Sequence, residues 1–159
     1  YKRQAKDGDY QNIKTINSVG TSSWTDGSVK TGKTYYYKIK TVVKTQNGEQ
    51  TSGFSNVKSA KAVPAKTTLK AKASDAKNVK LTWSKVKGAS GYEIYRSNSK
   101  DGKCSKVKTI SKGSTTSYKN GKLKKSTTYY YKIRAYRKVN GKKVYGSYSS
   151  VVSVKTKAK

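Results

Sequence analysis

From Thr128 to Tyr136 the chain alternates without a break. Tyr129, Tyr131, Ile133 and Ala135 fall on one side, and Tyr130, Lys132, Arg134 and Tyr136 on the other. A period of two is the mark of a β-strand, whose successive side chains leave opposite faces of the sheet. Leu123-Lys124-Lys125-Ser126-Thr127 precedes this run and Asn140-Gly141 follows it. The same block stands earlier as Thr34-Tyr35-Tyr36-Tyr37-Lys38-Ile39-Lys40, followed by Asn47-Gly48. Asn-Gly between alternating runs predicts a two-residue hairpin turn, because both turn positions take positive φ.

The two blocks belong to a longer repeat. An offset of 94 residues places Tyr1 on Tyr95, Lys6-Asp7-Gly8 on Lys100-Asp101-Gly102, and Lys14-Thr15-Ile16 on Lys108-Thr109-Ile110. It also places Trp24 on Tyr118, Gly27 on Gly121, and Thr34 to Lys38 on Thr128 to Lys132. The register slips by one at the Asn-Gly turns and then recovers, with Ser55, Val57 and Ser59 on Ser149, Val151 and Ser153. A unit of this length is too long for a helical solenoid repeat and suits a small sandwich of roughly 100 residues. Thr67 to Ile94 has no counterpart in the first copy. The expected organisation is therefore a partial module over 1–63 and a complete one over 64–159. A half-sandwich leaves a sheet edge and a core face open. Strands from upstream polypeptide or from a neighbouring chain are the expected complement.

In chain order, copy one predicts strands near Tyr10–Ile16, Thr21–Thr25, Thr34–Lys44 and Thr51–Ala60. Ala62-Val63-Pro64-Ala65 reads as a linker around the only proline. Copy two predicts strands at Thr67–Ala73, at Val79–Trp83, from Tyr92, at Lys106–Ile110, around Tyr118, from Tyr129, and near Lys143–Lys155. No segment has helical periodicity. Short strands at regular spacing with Gly and Asn turns predict an all-β fold of two consecutive antiparallel sandwiches, the first lacking its N-terminal strands.

Composition sharpens this picture. Lys and Arg number 37 against 7 Asp and Glu, a formal net charge of +30, and hydrophobic residues are only 32%. Such a balance alone suggests disorder, but the alternating aromatic runs bounded by Gly and Asn argue for a folded chain. Self-repulsion then predicts modest stability that rises with salt. The arginines are Arg3, Arg96, Arg134 and Arg137; every other cation is lysine, a hydrated point charge rather than a planar fork. No run of about 18 apolar residues is present, so no membrane span is expected. Cys104 is the only cysteine, which excludes an internal disulfide.

The second copy resembles the fibronectin type III family. Val79-Lys80-Leu81-Thr82-Trp83 is similar to the family's second strand with its core tryptophan, and Lys87-Gly88-Ala89-Ser90-Gly91-Tyr92-Glu93-Ile94-Tyr95-Arg96 to the start of the third. Leu123 followed by Tyr129 resembles the leucine and tyrosine corner that open the sixth, with Val29 and Tyr35 in the same places in copy one. In that corner the ring is buried and the hydroxyl returns to the backbone. Gly-Tyr-Glu-Ile-Tyr-Arg and Thr-Tyr-Tyr-Tyr-Lys-Ile are similar to tandem modules of secreted and wall-associated proteins of Gram-positive bacteria. The Arg-Gly-Asp tripeptide of some animal adhesion modules is missing from the Asn140-Gly141 turn, so the resemblance does not extend to integrin recognition.

Catalytic chemistry finds little footing. There is no histidine to serve as a base near neutral pH. Asp7, Asp9, Asp26, Glu49, Asp75, Glu93 and Asp101 form no defensible glycosidase pair and read as turn residues and local ion pairs. One cysteine and no histidine imply no metal site and no cofactor. The candidate binding surface is Tyr130, Lys132, Arg134, Tyr136, Arg137, Lys142 and Lys143, where aromatics and cations interleave. The bland alternative is cross-strand aromatic packing. The resulting expectation is a non-catalytic, extracellular spacer held weakly on anionic cell-wall polymers, secreted or wall-associated. The alternatives are a dedicated polysaccharide-binding or adhesion module and non-specific nucleic-acid binding.

Overall fold

The computed structural model describes residues 1–159 and divides into two compact units, Tyr1–Ala62 and Val63–Lys159. All of its regular structure is strand. The first unit contains β1 (Lys2–Arg3), β2 (Thr34–Tyr37), β3 (Val42–Thr45), β4 (Gly48–Thr51) and β5 (Lys58–Lys61). The second contains β6 (Leu69–Ala73), β7 (Val79–Trp83), β8 (Gly91–Ser97), β9 (Ser105–Ile110), β10 (Ser117–Asn120), β11 (Thr128–Val139), β12 (Lys142–Tyr145) and β13 (Val152–Lys155).

The second unit is a sandwich of two antiparallel sheets. One has the order β10-β7-β6, and the other β12-β11-β8-β9 with β13 also on β11. Leu69, Val79, Leu81 and Trp83 face Tyr92, Ile94, Tyr129, Tyr131, Ile133 and Ala135, with Leu123 and Val86 closing the ends. Val79, Leu81, Tyr92, Ile94, Tyr131 and Ile133 have no exposed surface. Each aliphatic side chain so buried stabilises the fold by about 1.5–3 kcal/mol. The alternation in β11 therefore has the expected sense, with Tyr129, Tyr131, Ile133 and Ala135 inward.

The expected single last strand is two strands in line. β12 pairs with Tyr136–Val139 of β11, and β13 with Thr128–Tyr131 of the same edge. Between them the Ser149 hydroxyl accepts the Ile133 N–H at 3.1 Å, so a side chain replaces a ladder bond. Gly146 marks the break: a Cβ there would lie 2.3 Å from the Pro64 carbonyl oxygen.

The first unit reproduces the later part of this architecture bond by bond. Lys2 pairs with Tyr37 and Arg3 with Tyr36, as Arg96 does with Tyr131 and Ser97 with Tyr130. The Ser55 hydroxyl accepts the Ile39 N–H at 3.1 Å, the counterpart of Ser149. Both tyrosine corners form. Lys124 N–H donates to Tyr129 Oη at 2.9 Å, and Lys30 N–H to Tyr35 Oη at 3.0 Å. Tyr131 Oη and Arg96 both donate to Asn120 Oδ1, and their counterparts Tyr37 and Lys2 both engage Asp26.

Where the first unit departs from the expected strands, a missing pairing partner explains it. Tyr10–Ile16 is not a strand; only Gln11 bridges to Lys2, the counterpart of Ser105 against Arg96. The rest of β8 has no counterpart against which it can pair. Thr21–Thr25 is also not a strand, because β10 pairs with β7 in the second unit and β7 has no counterpart in the first. Thr34–Lys44 breaks into β2 and β3, and Thr51–Ala60 gives only the end of β4 and then β5. The first hairpin turn is Gln46-Asn47 rather than Asn47-Gly48, with Gly48 at φ 107° already paired to Thr45. Asn140-Gly141 is the expected turn, both residues at positive φ (49° and 75°). Tyr35 is the one large apolar side chain buried in the first unit; Ile39 is 71% exposed where Ile133 is fully buried.

Candidate functional site

The outward face of the β12-β11-β8-β9 sheet is organised around Glu93. Register places Glu93 opposite Arg134 on one side and Thr109 on the other, and places Tyr95 between Lys132 and Lys106. Because β11 alternates, Tyr130, Lys132, Arg134 and Tyr136 share this outward face with Lys143 and Tyr145 of β12. The Glu93 carboxylate is 1% exposed. Its Oε2 accepts from Tyr95 Oη at 2.7 Å and from Arg134 at 2.9 and 3.3 Å. Its Oε1 accepts from Lys143 Nζ at 3.0 Å and Tyr145 Oη at 3.2 Å, and Lys106 Nζ stands 3.5 Å away.

Burial pushes the Glu93 carboxyl up, but hydrogen bonds from Tyr95, Lys143 and Arg134 outweigh burial and hold it at about 2. The same contacts act in reverse on the partners. Burial and then the bond to Glu93 push the Tyr95 phenol up. The bond to Glu93 raises the Lys143 ammonium; burial lowers the Arg134 guanidinium, and the bond to Glu93 together with the charge of Glu93 and the neighbouring Tyr95 and Tyr148 raises it on balance. These groups keep their charge or their proton throughout the neutral range, so they are unsuited to exchanging protons there.

Of the rings on this face, all but Tyr130 already have a cation over them. The Arg134 guanidinium lies 3.7 Å from the Tyr145 ring centre and 4.9 Å from that of Tyr148. Lys132 Nζ is 4.5 Å from Tyr148, and Lys143 Nζ 4.5 Å from Tyr136. Tyr95 meets Tyr148 edge-on at 5.2 Å. Contacts of this kind contribute about 0.5–1 kcal/mol each at exposed sites.

Of the candidate residues, Arg134 and Lys143 are joined by Glu93, Lys132 lies over Tyr148, and Tyr130 is half-buried on the same face opposite Ser153. Tyr136 is not a surface residue. It is 1% exposed, and its hydroxyl donates to the Ile110 carbonyl at 3.3 Å above Gly91. The absence of a side chain at Gly91 makes room for it: a Cβ there would sit 2.6 Å from Tyr136 Oη and 2.0 Å from the Ile110 oxygen. Arg137 and Lys142 pair with Val144 and Val139 on the opposite side of the hairpin and are exposed, apart from the cluster. The organising role of Glu93 was not apparent from the sequence, where it is one acid among lysines. Its position opposite Arg134 becomes visible only once β8 and β11 are in register.

A smaller cluster of the same kind surrounds Asp26 in the first unit, which accepts from Ser28 N–H at 2.8 Å, Ser28 Oγ at 2.6 Å and Tyr37 Oη at 2.9 Å and pairs with Lys2 at 3.0 Å. No group of three metal-ligating side chains is present, and no helix is long and apolar enough to cross a membrane. No family model matches the sequence, and no curated protein matches it. Solved structures do. The FN1–FN3 domains of chicken CNTN1 align with 84% of this chain at TM-score 0.52 and 22% identity. The 6th fibronectin type III domain from human fibronectin type III domain containing protein 3 aligns with 63% of the chain and 92% of its own length, at TM-score 0.52 and 18% identity.

The fold is that of fibronectin type III domains.

The chain spans 46% of the CNTN1 structure it matches. An Fn3-like protein from Clostridium thermocellum aligns with 60% of this chain and 92% of its own, at TM-score 0.48 and 28% identity. In fibronectin type III terms the Glu93 cluster lies on the outer face of the larger sheet, and the corner tyrosines Tyr35 and Tyr129 open equivalent strands in the two units.

Proposed function

We propose that this chain is a non-catalytic spacer segment of a secreted or wall-associated bacterial protein, retained weakly on anionic wall polymers such as teichoic acids. The observation that carries this reading is the imbalance of charge and its lack of internal compensation. The chain holds 37 basic residues, and its four ion pairs converge on two acids, Asp26 and Glu93. The remaining cations spread over strands and loops. Such a surface holds a polyanion through many weak contacts that release counterions.

A dedicated polysaccharide site is less well supported. Sugar stacking needs free ring faces, whereas Tyr136, Tyr145 and Tyr148 already have cations above them. The uncovered apolar residues of the first unit, Trp24 and Ile39 among them, fit completion by strands equivalent to β6–β8 from another stretch of polypeptide.

Co-sedimentation with purified Gram-positive walls, before and after chemical removal of the anionic polymer, tests the reading. Pelleting that disappears with the polymer supports it. Undiminished pelleting on stripped walls contradicts it and points to glycan recognition.

A further inference from the structure

The lysines on the other sheet of the second unit are arranged differently. In the β10-β7-β6 sheet Lys72 is paired with Lys80, and Lys80 with Lys119. Three lysines thus stand side by side across three strands, all pointing away from the core and all exposed. Adjacent strands lie about 4.8 Å apart, so the three Cα positions span roughly 10 Å. Like charges directly opposite one another destabilise a sheet. Elsewhere in the unit the sheet face has Glu93 to offset its cations. Here none of the three lysines forms an ion pair. One acid, Asp75 at the end of the sheet, lies close enough to act on Lys119, but its carboxylate forms no ion pair and is hydrogen-bonded by the Lys77 N–H and the Asn78 amide. Lys70 continues the charge in the next row, beside the hydroxyls of Thr82 and Ser117. A shallow hollow of about 290 Å³, lined by Ser74, Lys80, Ser117, Tyr118 and Lys119, lies beside two of the three lysines.

We infer that Lys72, Lys80 and Lys119 form the seat of a linear phosphodiester polyanion that crosses the strands, so that retention is located on this sheet rather than on the tyrosine-bearing one. The inference rests on the reading given under Proposed function and adds the place and the ligand geometry. A polymer of successive phosphates provides the charges that the row lacks and removes the repulsion among its members. A nucleic acid fits less well. Tyr118, the one ring at the hollow, pairs with Leu81 and packs partly buried against the core, so its face is not presented for a base to stack on.

The test uses the full chain and fluorescently labelled poly(glycerol phosphate), with binding followed by anisotropy between about 20 and 300 mM salt. The variant K72Q/K80Q/K119Q is compared with K100Q/K103Q/K112Q, which removes the same charge from loops. Loss of three phosphate contacts lowers the slope of log K against log salt by roughly 2. The expected result is that fall, with at least a tenfold weaker affinity at low salt, for the row variant only. The row variant also melts at a higher temperature than wild type in low salt, because repulsion is relieved, which shows that it is folded. Equal losses in the two variants would overturn the seat while leaving diffuse retention intact. No binding by wild type would overturn both. Tighter binding of a single-stranded oligonucleotide of equal charge, or a row variant that melts at or below the wild-type temperature, would also overturn the inference.

Discussion

Replacing Glu93 by Gln probes the electrostatic centre of the second unit. The substitution keeps the shape and one acceptor but removes the charge that Arg134 and Lys143 approach at 2.9 and 3.0 Å. The folded-state carboxyl is held at about 2, against an ordinary value of 4.5. Such a depression corresponds to roughly 3 kcal/mol of stability for the ionised form. The cations over the carboxylate are themselves partly exposed, Arg134 21%, Lys143 30% and Lys106 48%, so solvent screening lowers this to about 2 kcal/mol. Because the folded value is the lower one, this stability is fully present above about pH 4.5 and is lost as pH falls through about 2. Urea unfolding of the full chain, in a Trp24→Phe background so that Trp83 alone reports, measures it. At pH 7 E93Q should unfold about 2 kcal/mol more easily than wild type, and the gap should close as pH approaches about 2. Equal stability at pH 7 would refute the reasoning. A gap that stays constant down to low pH would also do so, since it would point to packing rather than charge.

Other consequences follow from single contacts. Tyr129→Phe removes the acceptor of the Lys124 N–H, and a part-buried donor left unpaired costs about 1–2 kcal/mol in urea unfolding. Gly91→Ala places a Cβ 2.0 Å from a backbone oxygen, so it should cost more than about 3 kcal/mol or prevent the second unit from folding, as read by circular dichroism. With a net charge of +30, the melting temperature should rise with neutral salt between about 20 and 500 mM; a fall over that range would contradict dominant self-repulsion.

The pattern of the chain made most of the second unit legible. Strict alternation in Val79–Trp83 and Thr128–Tyr136 identified both the strands and their inward faces, because one buried face leaves only one workable register. The Asn140-Gly141 turn followed from its φ requirements. In the first unit the same local signals gave fewer strands, because a strand also needs a neighbour, and Thr21–Thr25 has none. The cluster was less legible than the fold. Alternation correctly put Arg134 and Lys132 on the outer face, but it also put Tyr136 there, where Lys143 and Gly91 allow the ring to be covered. Neither the Glu93 convergence nor the lysine row is local in sequence. Each depends on which residues the ladder sets opposite one another.

The central proposal is that uncompensated lysine charge, not a carved site, retains this chain of fibronectin type III fold on anionic polymers. Sedimentation of the full chain with native Gram-positive walls across a salt series tests it most directly. The account predicts pelleting at low salt that falls steeply and is lost well before about 500 mM. Pelleting that persists unchanged through that range would contradict it.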